Sequence, residues 1–555
     1  MRMRKYLIWV LVISLSFGSG FITNVSDNYF EISKNLDIFG KLYREINTLY
    51  VDDTDPSELM RTGIDAMLNS LDPYTNYISE KEVDDFKFMS TGQYGGVGAL
   101  IGLRKDKFVI LELYEGYPAD RSGLKAGDQI LSVDGKEVNA ESMKVVDVRN
   151  LLRGEKGSAV KVAVKRNEKE DLDFSLERDR VKVNNVPYYG MVDENIGYIA
   201  LTGFTQDAGK EVEEALTKLR EENATLSGVV LDLRGNPGGR LDEAVNVSNV
   251  FLPYKEKIVE TRGRIDGSQR THYAQRQPVD TKIPLAVIIN KNSASASEIV
   301  AGSIQDLDRG IIIGQKSFGK GLVQNIRPLS YNTQLKVTTA KYYTPSGRCI
   351  QAINYHDKDK NGRYSRIPDS LRKTFFTRNG REVMDAGGIS PDVAIEKEPL
   401  HEVSKALARQ NVIFNFVTEW TANKETIANP REFEVTDQIY NEFVAYVREA
   451  DFAFKTRADR QLDRLQSTIE EEAYFAQISN EISDLEKKLE SLKDKDLMKH
   501  KDEISRLLKQ EILLRYYHQS GSVEGYFLDT PEVDEAVALL TDKQMVEKML
   551  KMPNK

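Results

Sequence analysis

Apolar positions at Ile38, Phe39, Leu42, Tyr43 and Ile46 recur at helical spacing, and Leu59, Ile64, Met67, Leu68 and Leu71 repeat the pattern until Asp72-Pro73 stops it. Two amphipathic helices are therefore expected before about residue 77, a packing or dimerisation module with no chemistry of its own. Over 92–176 short apolar strands alternate with turn residues, with one helix near Val145–Leu152. Over 187–395 continuous apolar runs such as 228–233 and 284–289 alternate with helical stretches such as Leu241–Phe251. That alternation predicts an α/β layer architecture. Beyond about Lys397 the chain turns helical and charge-rich, and Ile478, Ile482, Leu485, Leu489 and Leu492 step by four and three. The repeat barely exceeds two heptads, which favours a local antiparallel hairpin over an oligomerisation zipper.

These shifts divide the chain into 1–24, a helical 25–82, a β-rich 83–177, an α/β 178–397 and a helical 398–555. With 40% hydrophobic and 29% charged residues, most of its 555 residues should fold, as several domains. The formal net charge of −9 argues against nucleic acid as a partner, since phosphate capture needs a strongly basic face. Arg2, Arg4 and Lys5 precede an apolar run from Tyr6 to about Ile22. This is an export signal, read either as a signal peptide or as an uncleaved single N-terminal membrane anchor, the run being just short of a comfortable span. Either way the bulk is exported to the periplasm or cell envelope, and in the second case it is anchored to the inner membrane. The single cysteine, Cys349, permits no internal disulfide and is read as a packed strand residue.

The β-rich region opens on Tyr94-Gly-Gly-Val-Gly-Ala99 and contains Pro118-Ala-Asp-Arg-Ser-Gly-Leu-Lys-Ala-Gly-Asp-Gln-Ile-Leu-Ser-Val-Asp-Gly135. A lone Gly-Gly-x-Gly is usually an ordinary turn, but the two segments together resemble a PDZ domain. The resemblance implies that Gly95, Gly96, Val97 and Gly98 line a loop whose backbone N–H groups hold a peptide's terminal carboxylate, while the adjoining edge adds the peptide as a strand.

Three segments of the α/β region carry candidate chemistry: Asp232-Leu-Arg-Gly-Asn-Pro-Gly-Gly239, Ser293-Ala-Ser-Ala-Ser-Glu-Ile299 and Ser317-Phe-Gly-Lys-Gly-Leu-Val-Gln324. The serines follow an apolar strand and precede a helical run, a turn that exposes hydroxyls and free N–H groups. Ser295-x-x-Glu298 also fits a capping box, in which the serine merely ends the helix. None of His272, His356, His401, His500 and His518 falls in such a motif, which leaves a lysine as the base, and that base must be held neutral by desolvation. Lys320 is the candidate, with Gln324 four residues on and expected on the same face. Gly314-Gln-Lys-Ser-Phe-Gly-Lys320 also matches most of a phosphate-binding loop, but Gly321 stands where a magnesium-binding Ser or Thr belongs and a strand pattern follows. A surface lysine in a loop stays open on these grounds. Asp357-Lys-Asp-Lys-Asn-Gly362 starts like a calcium loop, but Pro368 replaces the bidentate glutamate, so an acidic turn is the reading. No metal and no cofactor is assigned.

In this order, after a PDZ-like module, the three segments resemble the carboxyl-terminal processing (tail-specific) proteases, over roughly 30–395. The resemblance implies Ser295 as nucleophile, Lys320 as base, Gln324 as the residue orienting it, and Gly239 and Ala296 as oxyanion-hole donors, on a crotonase-like α/β core with an inserted PDZ-like domain and helical terminal regions. The implied activity is endoproteolysis of envelope proteins with unstructured apolar C-termini. A homodimer through the N-terminal helices is the expected assembly. The rival is a non-catalytic PDZ-containing envelope scaffold, which would have no need to keep Ser295, Lys320 and Gln324 together.

Overall fold

The computed structural model describes residues 29–551 apart from 266, 359–363, 397–398, 423, 451, 473–474 and 494. The signal or anchor at 1–24 lies outside the described residues, as does most of the acidic turn at 357–362. Among the described residues no helix is long and apolar enough to cross a membrane. The described residues fall into two compact units that divide between Tyr77 and Ile78. In the first, α1 (29–49) and α2 (Pro56–Asn69) are tied by the Tyr43 hydroxyl, which donates to Pro56 O at 2.6 Å. Asp55 caps α2 by accepting the N–H groups of Ser57 and Glu58, and Pro56 fills the first turn, where its missing N–H costs nothing.

In the second unit a 3-10 turn (Glu80–Glu82) and a short helix (Val83–Thr91) precede a β-rich module. Strand β1 (Gln93–Gly96) leads into β2 (Ala99–Arg104), β3 (Lys107–Leu113), β4 (Gln129–Val133), helix α3 (Val145–Leu152), β5 (Ala159–Arg166) and β6 (Glu170–Glu177), and β7 (Asp179–Lys182) leads out. β1 and β7 pair antiparallel as a ribbon, and β2 to β6 form one antiparallel sheet in chain order. β2 is an edge strand, paired with β3 alone. Val148 and Leu152 of α3 close the module's core against Phe108, Ile110, Val162 and Leu176.

The α/β region follows as β8 (Tyr188–Met191), β9 (Ile196–Ala200), α4 (Ala208–Glu222), β10 (Gly228–Asp232), α5 (Leu241–Phe251), β11 (Lys257–Gly263), β12 (Arg270–Tyr273), β13 (Leu285–Ile289), α6 (Ala296–Asp306), β14 (Ile311–Gly314), β15 (Leu322–Pro328), β16 (Gln334–Tyr343) and β17 (Val393–Ala394). The central sheet runs β8-β9-β10-β13-β14-β17, parallel throughout except for the β8–β9 pair. An antiparallel sheet places β11 between β12 and β16 and adds β15 beside β16.

The central strands are apolar at every position because both faces are covered. Val229, Leu231, Val287, Ile289 and Ile312 pack with residues of α4, α5 and α6, whereas Val230, Ala286, Ile288, Ile311 and Ile313 face the other way. The cover on that second face comes from the far end of the chain. The helical region comprises α7 (Glu402–Arg409), α8 (Val412–Thr421), α9 (Asp437–Glu449), α10 (Arg457–Glu471), α11 (Phe475–Lys493), α12 (Lys501–Ser522), α13 (Pro531–Thr541) and α14 (Lys543–Lys551). Val523, Val533, Ala536, Leu540 and Val546 lie in the same cluster as Val230 and Ile288. α10 and α11 pack on one another through Leu462, Ile469 and Ile482, flanked by Ile478 and Leu489, the local hairpin that the spacing predicts. α12 is broken at Tyr517 and His518, the latter at φ 52°, and meets the β-rich module there. Arg515 Nη1 donates to Leu111 O at 3.2 Å, and His518 Nδ1 lies 3.2 Å from Leu113 O, both on β3.

Candidate active site

Ser295 sits where β13 has ended and α6 begins, at φ 55° and ψ −111°, a backbone conformation that costs a non-glycine residue on the order of 1–3 kcal/mol. The strand-to-helix turn is the one expected, and only half of the capping box forms. Ser295 N–H donates to Glu298 Oε2 at 2.8 Å, while the Ser295 side chain makes no capping bond to the helix. Ala296 opens α6, so its N–H is among those a helix cannot satisfy internally.

Glu298 is more than a helix cap. Its side chain is 1% exposed and takes four donors: Ser317 Oγ (2.5 Å) and Gly319 N–H (2.7 Å) on Oε1, Ser295 N–H (2.8 Å) and Lys320 N–H (2.9 Å) on Oε2. Burial pushes its carboxyl up to about 7 against the pull of these donors. Tyr342 makes a second tie from β16. Its hydroxyl donates to Lys320 O at 2.6 Å and lies 3.1 Å from Ser295 O. Phe318 N–H adds a third bond, to Ser293 O at 3.0 Å. The backbones of Ser295 and Lys320, distant in sequence, are thereby fixed to the same carboxylate oxygen and the same phenol.

Lys320 is half-buried in the loop before β15, and a strand follows it where a phosphate-binding loop would continue as a helix. Gln324 lies on β15 with its Nε2 donating to Thr338 Oγ1 at 3.2 Å. The expectation that Lys320 and Gln324 share a face through regular alternation needs correction. Lys320 precedes the strand, and the β15–β16 register shifts between Val323 and Gln324. Cys349 is also corrected: it lies partly buried in an irregular segment after β16, not in a strand, and burial pushes its thiol up. His272 lies on β12, His401 and His500 stack in the helical region, and His518 faces β3.

The third segment closes the site from the other side. Gly238, at φ 94°, leaves no room for a side chain: a Cβ there would stand 2.6 Å from Ala294 O and 2.8 Å from both Ala296 N and Ser295 Cβ. The segment carrying Gly239 therefore touches the Ser295 turn directly. Buried Asn236 holds it, donating Nδ2–H to Leu201 O (2.7 Å) and accepting Gly238 N–H on Oδ1 (2.9 Å), while its own carbonyl accepts Ala294 N–H and Ser297 Oγ–H. Arg240 N–H pins the far end to Phe204 O at 2.8 Å.

At the near end, Arg234 is buried between Asp232, which also accepts the Tyr198 hydroxyl, and Glu532 of α13. Burial opposes the charge, but Asp232, Tyr198 and Glu532 outweigh it and hold the guanidinium above its usual range. Sequence reasoning missed Tyr342 and Glu532 and read Glu298 only as a cap. The only local signal was an acidic residue three positions after Ser295.

In the β-rich module Gly95 and Gly96 lie in β1, and Gly95 O accepts Gly154 N–H at 3.1 Å. Val97 is 3% exposed and Gly98, at φ 82°, leads into the edge strand β2. A Cβ on Gly98 would stand 2.4 Å from Tyr117 Cβ. Burial holds the Tyr94 hydroxyl well above the usual tyrosine range.

Comparison with known proteins gives three family matches. Residues 195–357 match "Peptidase family S41", residues 109–166 match "PDZ domain", and residues 403–540 match "Probable PDZ-protease, C-terminal helical domain". The carboxy-terminal-processing protease of Bartonella bacilliformis is 36% identical over 358 residues, 63% of this chain and 81% of the relative. The carboxy-terminal processing protease CtpA of Bacillus subtilis is 33% identical over 335 residues, 60% of this chain and 70% of the relative. Among solved structures, the photosystem II D1 C-terminal processing protease is 26% identical, with a TM-score of 0.35 over 64% of this chain and 92% of that one.

Proposed function

The chain belongs to the carboxy-terminal processing proteases, serine-type peptidases of family S41 with a PDZ domain, and from that premise we propose that it cleaves exported envelope proteins with unstructured apolar C-termini by a Ser295–Lys320–Gln324 mechanism. The observation that carries this reading is the shared carboxylate oxygen of Glu298, which holds the Ser295 and Lys320 backbones together.

The tail's carboxylate is held by backbone N–H groups of the 95–98 loop, and the tail adds to the β2 edge. The scissile bond meets Ser295. Lys320 takes the Oγ proton as the oxygen attacks the carbonyl carbon, and the negative oxygen rests on the Gly239 and Ala296 N–H groups. Lys320 then gives the proton to the leaving amine, and water releases the acyl group by the same steps in reverse order. Gln324 orients the amine, in exchange for its bond to Thr338. The same reading includes a crotonase-like core over 178–397, the PDZ boundaries at 83–177, a homodimer through the helices at 25–82, and export by the 1–24 segment, cleaved or kept as an anchor.

The test is incubation of wild type, Ser295→Ala and Lys320→Ala with a protein bearing an unstructured apolar C-terminus. Cleavage should fall by on the order of 10⁴ or more in both variants. Cleavage that survives in Lys320→Ala points to another base, and absence of cleavage by all three, wild type included, points to a scaffold.

A further inference from the structure

Arg234 lies between β10 and the segment that carries Gly239, and its side chain is 5% exposed. Within its own segment it meets only Asp232: its N–H donates to Oδ1 at 2.8 Å, Nε to Oδ2 at 2.9 Å and Nη2 to Oδ2 at 2.6 Å. The remaining acceptors come from the far end of the chain. Nη1 donates to Thr530 Oγ1 at 2.8 Å and to Glu532 Oε2 at 3.1 Å, Nη2 also donates to Phe527 O at 3.0 Å, and the guanidinium stands 5.4 Å from the centre of the Phe527 ring. Glu532 is itself only 4% exposed. Both Nη1 acceptors thus belong to the helical region. Without them a buried guanidinium would keep unpaired N–H donors, which a protein tolerates poorly and relieves by moving the group.

Such movement has a short path to the chemistry. The chain passes from Arg234 to Gly235, whose N–H donates to Asn290 Oδ1 at 3.1 Å, then to Asn236 and to Gly238, which abuts Ser295 Cβ. We propose that Glu532 and Thr530 are positioning residues of the peptidase, holding Arg234 and through it the Gly239 N–H at the place where the oxyanion forms. This rests on the reading of Ser295 and Gly239 given above. The helical region is then a working part of the active site as well as a cover for the sheet.

The experiment uses the full chain with Glu532→Ala, Glu532→Gln and Thr530→Val. It measures kcat and KM on a short peptide, the affinity for a peptide aldehyde, and the affinity for an uncleavable peptide of the same sequence. The aldehyde adds the Ser295 hydroxyl across its carbonyl, and the resulting hemiacetal oxygen sits where the oxyanion would. In Glu532→Ala, kcat and aldehyde affinity should fall together by about tenfold to a hundredfold, a loss in the range of a displaced oxyanion donor. KM and affinity for the uncleavable peptide should stay within about threefold, and Glu532→Gln, which keeps an acceptor for Nη1, should recover most of the loss. A folded Glu532→Ala with kcat and aldehyde affinity within about twofold of wild type overturns the proposal, as does a fall in kcat with aldehyde affinity unchanged. Should Glu532→Ala fail to fold, Thr530→Val, which removes one acceptor and keeps the shape, decides by the same two readings. Ser295→Ala run alongside should abolish aldehyde binding; binding that survives there strikes the nucleophile reading itself, whereas an unaffected Glu532→Ala strikes the positioning proposal alone.

Discussion

The turn at Ser295 and the loop at 95–98 both present backbone N–H groups beside glycine, yet they are fastened in different ways. Around Ser295 the ties are buried side chains: four donors converge on Glu298, Tyr342 joins two carbonyls, and Asn236 bonds in both directions. Beyond Gly98, by contrast, the strand is an open edge with Leu100 and Leu103 each more than two-fifths exposed. Donors that must meet charge as it develops are useful only when already in place, because moving them during the reaction adds to the barrier. An edge that pairs with a peptide gains more from main-chain hydrogen bonding.

The contrast is broken most severely at Glu298. Glu298→Gln replaces a carboxylate oxygen with an amide that cannot accept, leaving two of its four donors unpaired. The expected outcome is a loss in kcat on the order of 100-fold and about 2 kcal/mol of stability, read by steady-state kinetics and denaturant unfolding. The same variant carries a pH signature. Because burial raises the Glu298 carboxyl from its ordinary value of 4.5 to about 7, the folded state binds the proton more tightly than the unfolded one. The stability of wild type relative to Glu298→Gln should therefore be greatest below about 4.5, decline as pH rises, and level off above about 7. A difference that stays flat across that window refutes the assignment.

Gly98→Ala sharpens the contrast from the other side. It puts a Cβ against Tyr117 at a positive φ. KM for a protein with an apolar tail should rise about tenfold, while kcat on a short peptide stays unchanged, since tail capture and chemistry use separate loops. The smallest effect is expected from Tyr342→Phe, which removes one hydroxyl but leaves the Glu298 ties intact. A loss of about threefold to tenfold in kcat and about 1 kcal/mol of stability should appear in the same assays, and no change in kcat would make Tyr342 a purely structural residue.

Local pattern carried much of this architecture. The helices Val145–Leu152 and Leu241–Phe251 have the bounds that their apolar spacing suggests, and the run at 284–289 is a strand leading to the serine turn. What could not be read locally is whatever depends on a distant partner. Tyr342 looks like any strand tyrosine until its hydroxyl is found between two carbonyls, and Glu532 looks like any first-turn acidic residue until Arg234 is found against it. Gln324 illustrates the opposite error, in which regular alternation was assumed across a position where the strand register slips. Glu298 lies between the two: its identity suits a cap, but only the lysine loop explains the other three of its four donors.

The second face of the central sheet also imposes an order of events on the newborn chain. Strands β9, β10, β13 and β14 are made long before Val533, Ala536 and Leu540 exist to cover them. Until those residues arrive, Ile288 and Ile313 have no partner layer and Arg234 has no acceptor for Nη1. A peptidase domain that emerges ahead of α13 is thus incomplete in two respects at once, since the same helix covers the sheet and supplies Glu532 to Arg234.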